Sequence, residues 1–454
     1  MLLFTINIKL IYYYYNNNNK YMSKTLVIVE SPAKCKKIEG YLGKGYKVIA
    51  SYGHFTNLND LKQINFETYQ IQYKIDKGKV LKTIKDEIKK SKEVIIATDD
   101  DREGEAIGWM LCVFCNLNIQ TTKKIVFQEI TKNAIQNALQ NIKKINMNRV
   151  QSQQARQILD IYLGYKVSPL LWKYIAHKLS AGRCQTPALK ILYENQKEID
   201  TLTMDTNYNV NARFTNKNIP FDLVHSIEKD KIKEFLEKMA EKSDWQINHV
   251  EQKQTTESPP TILITSTLQQ KAHSVLHYSP KATMKYAQEL YENGFITYMR
   301  TDSACYSKDF IEKLKKHIKS EFGETYIHKN IDMLSKNKNK NKAQEAHEGI
   351  RVCDLSVKQS NSKIQTVNRL YQFIYKHTLQ AGMESAINDE KHYYVNDNKY
   401  RFKYNDKINI FKGWKILENE KEVIHYRNYL DQLYNENSII AFIQLNATEK
   451  LIKN

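Results

Sequence analysis

The sequence has no run of about 18 or more consecutive apolar residues, so no membrane-spanning helix is expected. Cysteine is sparse: six residues, Cys35, Cys112, Cys115, Cys184, Cys305 and Cys353, are scattered along the chain. That usage predicts reduced thiols in an intracellular protein rather than a disulfide framework. Cys112 and Cys115 form one CxxC inside an apolar helical run, with no second pair. A structural zinc site needs four ligands, so zinc is not expected. Residues 1–22, MLLFTINIKLIYYYYNNNNKYM, lack the basic start and small-residue cleavage site of a secretory signal. Their homopolymer runs predict a disordered extension, with Met22 as an alternative start. Acidic residues are the minority: 69 Lys and Arg against 50 Asp and Glu give a formal charge of +19. The balance points to a polyanionic partner, although a lysine-rich, solubilising surface gives the same figure. At 454 residues the chain is long enough for about two to four domains with real cores.

What is present begins with alternating strands and helices. Thr25–Glu30, TLVIVE, is a short continuous apolar run of the kind found in buried parallel strands. Ser31-Pro32 caps a helix to about Leu42, and a second strand follows over Tyr46–Ser51. A helix over Val80–Lys90 precedes a strand Glu93–Thr98, which runs into Asp99-Asp-Asp-Arg-Glu-Gly-Glu105 and another helix. The alternation predicts a parallel sheet with Glu30 and the Asp99 cluster at the carboxyl ends of strands. Asp99, Asp101 and Glu103 alternate along what reads as an exposed turn, a hard-oxygen set suited to Mg²⁺; a solvated acidic loop is the bland alternative.

The most informative stretch is Gly294-Phe-Ile-Thr-Tyr-Met-Arg-Thr-Asp-Ser303. In an extended segment Tyr298, Arg300 and Asp302 share a face. A phenol beside a guanidinium can act as a nucleophile toward phosphate, with Arg300 favouring the phenolate and holding a phosphate oxygen. A half-buried tyrosine on an edge strand is the competing reading. Two helices lead into this stretch. One is capped by Thr265-Ser266 and turns Leu268, Ala272, Val275 and Leu276 inward. The other runs from Ser279-Pro280 to Gly294, with Met284, Ala287, Leu290 and Tyr291 inward.

These segments resemble a known family. PPTILITSTLQQKA, YAQELYENGFITYMRTDS and EAHEGIR are similar to the active-site domain of type IA DNA topoisomerases of the bacterial topoisomerase I kind, and the amino-terminal half resembles the TOPRIM domain. The resemblance implies Tyr298 as nucleophile, with Arg300, Glu30, Lys34, Asp302 and His347 as its catalytic companions. It implies Glu30, Asp99 and Asp101 as metal-site carboxylates, with Glu103 in the same motif, and Mg²⁺ as cofactor without zinc or ATP. SYGHFTNL matches a family segment that makes His54 a DNA contact, although Phe55-Thr56-Asn57 departs from the usual pattern. QQARQILDIYLGYKVSPLLWKYI and LSAGRCQTPALKIL make Arg156, Gln157, Asp160, Tyr165 and Trp172 DNA contacts. Ser180, Ala181, Gly182, Arg183, Cys184 and Gln185 then line a strand-binding groove, with Arg300 and Arg351 also facing DNA. A basic groove with aromatic faces suits single-stranded bases; for Trp172 taken alone the competing reading is a core residue. After Arg351 the family continues with Pro, whereas Val352 stands here.

The expected organisation is an α/β TOPRIM domain with mainly α and β-arm domains, in the multidomain toroid architecture of the family. It comprises a disordered extension 1–22, a TOPRIM domain 23–145 and a helical gate or scaffold part 146–200, in which Arg149–Leu163 is helical. A β-rich arm 201–256 and a tyrosine domain 257–380 follow, the latter with a Lys/Asn-rich surface insertion over 323–342 and an amphipathic helix 369–384. The arm returns over 381–430, and 431–454 reads as the start of an incomplete returning scaffold. The implied activity is transient cleavage of one DNA strand through a 5′-phosphotyrosyl link, strand passage and rejoining, which relaxes negatively supercoiled DNA. The implied setting is a monomer inside the cell, with the DNA and without a membrane. Two other classes share features: a TOPRIM nuclease or primase, which needs no tyrosine, and a truncated remnant that binds or cleaves single strands without completing the cycle.

Overall fold

The computed structural model describes residues 24–202, 204–336, 348–396, 399–419 and 423–453. The expected extension 1–22 and residues 337–342 of the Lys/Asn-rich insertion lie outside them. Two compact units are present. The first comprises 1–187, 262–310 and 334–378, and the second 188–261, 311–333 and 379–454.

The first unit contains a four-stranded parallel sheet. Strand β1 (Thr25–Val29) lies between β2 (Tyr46–Ala50) and β3 (Glu93–Ile96), and β4 (Lys123–Lys124) pairs with β3. The apolar run of β1 is covered on both faces: Leu26, Val27, Ile28 and Val29 are buried. That is why it shows no alternation. Helix α1 (Pro32–Leu42) starts with the Ser31 hydroxyl accepting from the Ala33 amide and with Pro32 at the first helical position. Helix α2 (Gly78–Lys90) buries Leu81 and Ile84. Helix α3 (Arg102–Phe114) buries Ile107, Met110 and Leu111 against Leu26, Ile28 and Ile96. Each fully buried aliphatic chain of this cluster contributes about 1.5–3 kcal/mol. Helix α4 (Lys132–Gln140) completes this part.

Helix α5 (Met147–Tyr174) is 28 residues long and passes Gly164 and Pro169. It extends eleven residues beyond the Leu163 end read from the sequence. A single glycine costs about 1 kcal/mol in a helix, which a long continuous ladder can absorb. Helix α6 (Thr265–Leu276) and helix α7 (Pro280–Glu292) precede the tyrosine stretch. The extended residue before α6 is Ile264, so Thr265-Ser266 is not its cap; the Thr265 hydroxyl bonds elsewhere, as described below. Leu268 and Ala272 are buried, but Val275 is exposed, one residue from the helix end and two from left-handed His277. On α7, Ala287, Leu290 and Tyr291 are buried, whereas Met284 is only half-buried and faces a cavity. The Ser279 hydroxyl caps it by accepting from the Ala282 amide at 3.2 Å. Gly294 ends the turn with φ +64°, and a β-carbon there would lie 2.3 Å from the Ile130 carbonyl oxygen. Only glycine meets both conditions.

The second unit is organised on an eight-stranded sheet. Strands β5 (Met204–Phe214), β6 (Ile219–Leu223), β7 (Trp245–Glu257), β8 (Ala386–Asn396), β9 (Arg401–Phe411), β10 (Ile439–Ile440) and β11 (Phe442–Lys453) lie in the order β10-β7-β8-β9-β6-β5-β11. Ile227–Glu228 pairs with β5 off this path. The pairings are antiparallel. One face packs Phe214, Phe221, Phe235, Trp245, Tyr393 and Phe402 into an aromatic core. The two arm segments separated in sequence thus form one sheet, because β7 and β8 pair along ten residues of each. Residues 431–454 do not begin a separate scaffold: β11 runs back along β5 from Phe442 to Lys453 and extends this sheet. The helix Gln365–Gly382 matches the one expected over 369–384. Among the described residues no helix is long and apolar enough to cross a membrane.

Gly294→Ala is expected to destabilise the first unit by at least about 2 kcal/mol, from left-handed strain and the clash with Ile130; a lowered urea midpoint checks it. A second expectation concerns His377, which is buried with its Nε2 2.9 Å from the Lys271 ammonium. Burial first, and Lys271 second, hold its pKa down to about 3 against the usual 6.5. The unfolded chain takes up a proton below 6.5 while the folded chain does not. Stability from this residue is therefore constant above pH 6.5 and falls by about 1.4 kcal/mol per unit as pH drops from 6.5 toward 3. His377→Gln should lose about 2 kcal/mol less than the unsubstituted chain between pH 7.5 and 5, read by urea unfolding at each pH.

Candidate active site

Parallel pairing puts the carboxyl ends of β1 and β3 side by side, and the residues that follow them meet there. Glu30 follows β1, and Asp99 follows β3. Lys34, in the first turns of α1, is buried and its ammonium pairs with Asp99 Oδ1. Glu30 is pushed up to about 9 by burial first and by the Asp99 carboxylate second, with Lys34 acting in the opposite sense. Asp101 is the N-cap of α3 and accepts from the Gly104 amide at 2.7 Å. Gly104 sits so close to the end of β3 that a β-carbon would lie 2.2 Å from the Asp99 carbonyl oxygen. The cluster is therefore no exposed turn: Asp99 is 5% exposed, because the helix start is pressed onto the strand end. Glu103 diverges from the other two. Its Oε2 lies 3.0 Å from His54 Nε2 and 2.9 Å from Gln153 Nε2, and the His54 hydrogen bond leads in holding its carboxyl below the usual range.

Tyr298 enters this cluster from the other side. Its amide donates to the Gln128 carbonyl at 2.8 Å. The Thr265 hydroxyl bonds the Met299 carbonyl at 2.8 Å and receives the Thr301 amide at 2.9 Å, fixing the stretch after the tyrosine. The segment is not a strand: only an isolated bridge, Ile296 to Val352, is formed. Consequently Tyr298, Arg300 and Asp302 do not share one face. Tyr298 is 3% exposed and donates to Asp101 Oδ2 at 2.5 Å. Arg300 is largely exposed, 3.8 Å from the same Asp101 oxygen. Tyr298 and Arg300 line a cavity of about 600 Å³ with Glu30, Lys34, Asp99 and Asp101. Asp302 lines a neighbouring cavity of about 560 Å³ with Arg300, Arg156, Arg102 and Glu103. Burial, followed by Asp101 and Asp99, holds the Tyr298 phenol well above its usual pKa of 10, and Arg300 pulls the other way less strongly. Arg300 thus acts in the direction expected from the sequence, toward the phenolate, but burial and the two carboxylates outweigh it.

The donor set fits Mg²⁺ in part. Among the described residues, no three His, Cys, Asp or Glu side chains converge on one metal position as they stand. Asp99 and Asp101, however, are two hard carboxylates on one cavity wall, and Mg²⁺ usually takes one or two carboxylates, with waters and phosphate oxygens as its other ligands. The raised Glu30, caused by burial and then by the Asp99 carboxylate, marks a surplus of negative charge that a cation would relieve.

Several expected DNA-facing residues gather along α5 and the loop after it. Tyr165 donates to the Asn59 carbonyl at 2.7 Å, and Gln157 accepts from the Tyr73 hydroxyl at 3.1 Å. Asp160 receives two hydrogen bonds from Arg183. Trp172 is no core residue: it is 45% exposed, its indole donating to the Leu179 carbonyl. Gln185 donates to the Ser180 hydroxyl, the Gly182 amide to Thr186 and the buried Ala181 amide to Ser168, while Cys184 is exposed. Arg351 does not belong with them. It is 4% exposed, paired with Glu129 and Glu348, and stacked 4.0 Å over Phe310. Its charge is spent on these two half-buried carboxylates. His347 lies outside the described residues.

Sequence reasoning missed three participants. Tyr291 was read as core, yet its hydroxyl donates to Asp99 at 3.3 Å. Thr265 was read as a cap, and Gln153 was passed over as one polar position in a long helix. A tyrosine among the small and aliphatic residues of an inward face was the available signal, since a buried phenol needs a partner.

The family described as "DNA topoisomerase" matches residues 144–451, and the Toprim domain matches residues 25–130. The chain belongs to the type IA DNA topoisomerase family. DNA topoisomerase 1 of Campylobacter jejuni is 39% identical over 419 residues, covering 87% of this chain and 59% of that protein. DNA topoisomerase 1 of Buchnera aphidicola from Acyrthosiphon pisum is 36% identical, covering 88% of this chain and 52% of that protein. Full-length topoisomerase I from Thermotoga maritima superposes with a TM-score of 0.77 at 31% identity, covering 94% of this chain and 72% of that one. The chain thus spans about half to three-fifths of the length of these curated topoisomerase relatives. The Toprim domain is a Mg²⁺-binding fold, and here it carries Glu30, Asp99 and Asp101.

Arg351→Ala is expected to destabilise the fold by about 3–5 kcal/mol, because it strands Glu129 and Glu348. The salt dependence of DNA binding should stay unchanged. Denaturant unfolding and a salt titration of oligonucleotide affinity separate the two effects.

Proposed function

We propose that this chain cleaves and rejoins one strand of DNA through Tyr298, as a type IA topoisomerase that relaxes negatively supercoiled DNA. The observation that carries the reading is the Tyr298 hydroxyl, placed against Asp101 in a cavity lined by Lys34, Arg300 and Glu30. The phenol oxygen attacks the phosphorus and its proton passes to Asp101, the acceptor 2.5 Å away. A 5′-phosphotyrosyl bond forms as the bond to the 3′-oxygen breaks. Glu30, which keeps a proton at neutral pH in this setting, is placed to give it to that oxygen. Lys34 and Arg300 supply positive charge to the phosphate oxygens. The covalent link conserves the phosphoester energy, so no nucleotide is needed for rejoining. In the reverse direction Glu30 takes back the proton of the attacking 3′-hydroxyl, and Asp101 returns its proton to the departing phenol oxygen.

Asp99 and Asp101 would hold Mg²⁺, with Glu30 behind them. When bound, the ion supplies charge that positions the phosphodiester for rejoining. Glu103 lines the same cavity and also the arginine-lined neighbouring one, and is held by His54 and Gln153; in the neighbouring cavity Arg156, Arg300 and Asp302 suit the strand next to the cleaved bond. The exposed aromatic and basic side chains of α5 suit single-stranded bases and phosphates. His347 remains assigned to support of the tyrosine by its family motif alone.

Labelled single-stranded oligonucleotide, trapped by denaturant, tests the assignment. The adduct should map to Tyr298 and vanish in Tyr298→Phe; an adduct surviving that substitution would overturn it. Asp99→Asn should lower the Mg²⁺ stimulation of rejoining about tenfold or more and let cleaved complex accumulate. Full Mg²⁺ stimulation in that variant would remove Asp99 from the metal site.

A further inference from the structure

We propose that Tyr291 is a positioning residue of the cleavage reaction, the fixed support on which Asp99 and Lys34 are aligned; the inference rests on the reading of Tyr298 as nucleophile. Tyr291 lies seven residues before Tyr298, on the inward face of α7, and is fully buried. Three contacts converge on its side chain. The hydroxyl donates to Asp99 Oδ1 at 3.3 Å, the same oxygen that Lys34 holds. The Lys34 ammonium stands 4.9 Å over the ring centroid. The ring meets the Tyr298 ring edge to face, with centroids 5.1 Å apart.

One rigid side chain therefore touches the nucleophile, the cation and the carboxylate at once. Rigidity follows from burial and from the helix: the ring is held by packing on an element that is capped at its start by Ser279 and stopped by Gly294. The contacts also divide the labour. Lys34 is buried and satisfied by Asp99 as the site stands. To charge-stabilise a phosphate it must turn part of its hydrogen bonding away from Asp99. A buried carboxylate that loses its cation is costly unless another donor stays on it. The Tyr291 hydroxyl is that donor, and its ring face is a second, nondirectional partner for the ammonium during the change. The phenol itself exchanges no proton with substrate; it acts through Asp99 and Lys34.

The test measures single-turnover cleavage of a labelled single-stranded oligonucleotide by the full chain at fixed Mg²⁺. It compares Tyr291→Phe, Asp99→Asn and the double variant, with thermal midpoints recorded. Tyr291→Phe keeps the ring and removes only the hydroxyl. It should slow adduct formation about ten- to hundredfold at saturating DNA, with half-saturation unchanged and the midpoint within about 2 °C. Added to Asp99→Asn, it should cost less than about twofold more, because its partner is already changed. Tyr291→Leu, which also removes the ring, should be slower still and lower the midpoint. Adduct formation by Tyr291→Phe at the unsubstituted rate would overturn the inference, as would an effect that multiplies fully onto Asp99→Asn. Absence of any Tyr298 adduct in the unsubstituted chain would overturn the proposed function, and this inference with it.

Discussion

The buried pair of Lys34 and Asp99 is the constraint on which the site depends. Four carboxylates, from Glu30, Asp99, Asp101 and Glu103, line one cavity, and one buried ammonium, that of Lys34, pairs with Asp99. Desolvation makes that excess of negative charge expensive, and the structure answers it in three ways. Glu30 keeps its proton, Asp101 takes hydrogen bonds from the Gly104 amide and the Tyr298 phenol, and Asp99 takes Lys34 and Tyr291. In the proposed reaction each answer is also a piece of chemistry: a proton held for a leaving oxygen, an acceptor for the nucleophile's proton, and a cation beside the phosphate position.

The fold makes this crowding tolerable by fixing the backbone first. A parallel sheet aligns two strand ends, and the start of α3 is driven onto one of them by the absence of a side chain at Gly104. Opposite, Gly294 lets the chain leave α7 at a point where the Ile130 carbonyl leaves no room for a β-carbon. The Thr265 hydroxyl then holds the residues after Tyr298. The functional side chains thus stand on strand ends, helix starts and a pinned turn, so the tyrosine approaches the carboxylates along a path set by backbone packing. The second unit is built differently, on an aromatic core beneath a long antiparallel sheet.

Much was legible without coordinates. The continuous apolar run of Thr25–Val29, the Ser31-Pro32 start, the acidic end of the Glu93 strand and the Ser279-Pro280 to Gly294 helix are local signals. Each depends on neighbours within a turn or a strand, so each appears in the sequence and recurs in the structure. Tyr298, Lys34, Glu30, Asp99 and Asp101 were legible because their residue types sit in long ordered motifs. The helix through Pro169 and the pairing of residues 442–453 with β5 were not, since a breaker is judged by local propensity and strand pairing by partners more than 200 residues away.

The sequence by itself determined which elements form and which chemistry-bearing residues stand at their ends, because capping, apolar periodicity and glycine requirements act over a few residues. Only the tertiary structure decided what each of those residues faces. Arg351, charged and within a family motif, is buried on Glu129 and Glu348. Tyr291, an inward helix residue, becomes a donor to Asp99. Asp302 stands in the neighbouring cavity, and Arg300 is outweighed at Tyr298 by burial and two carboxylates. Desolvation and charge pairing are sums over neighbours that arrive from distant parts of the chain. Their sign at a given side chain is therefore fixed by packing, whereas the residue's type was fixed already.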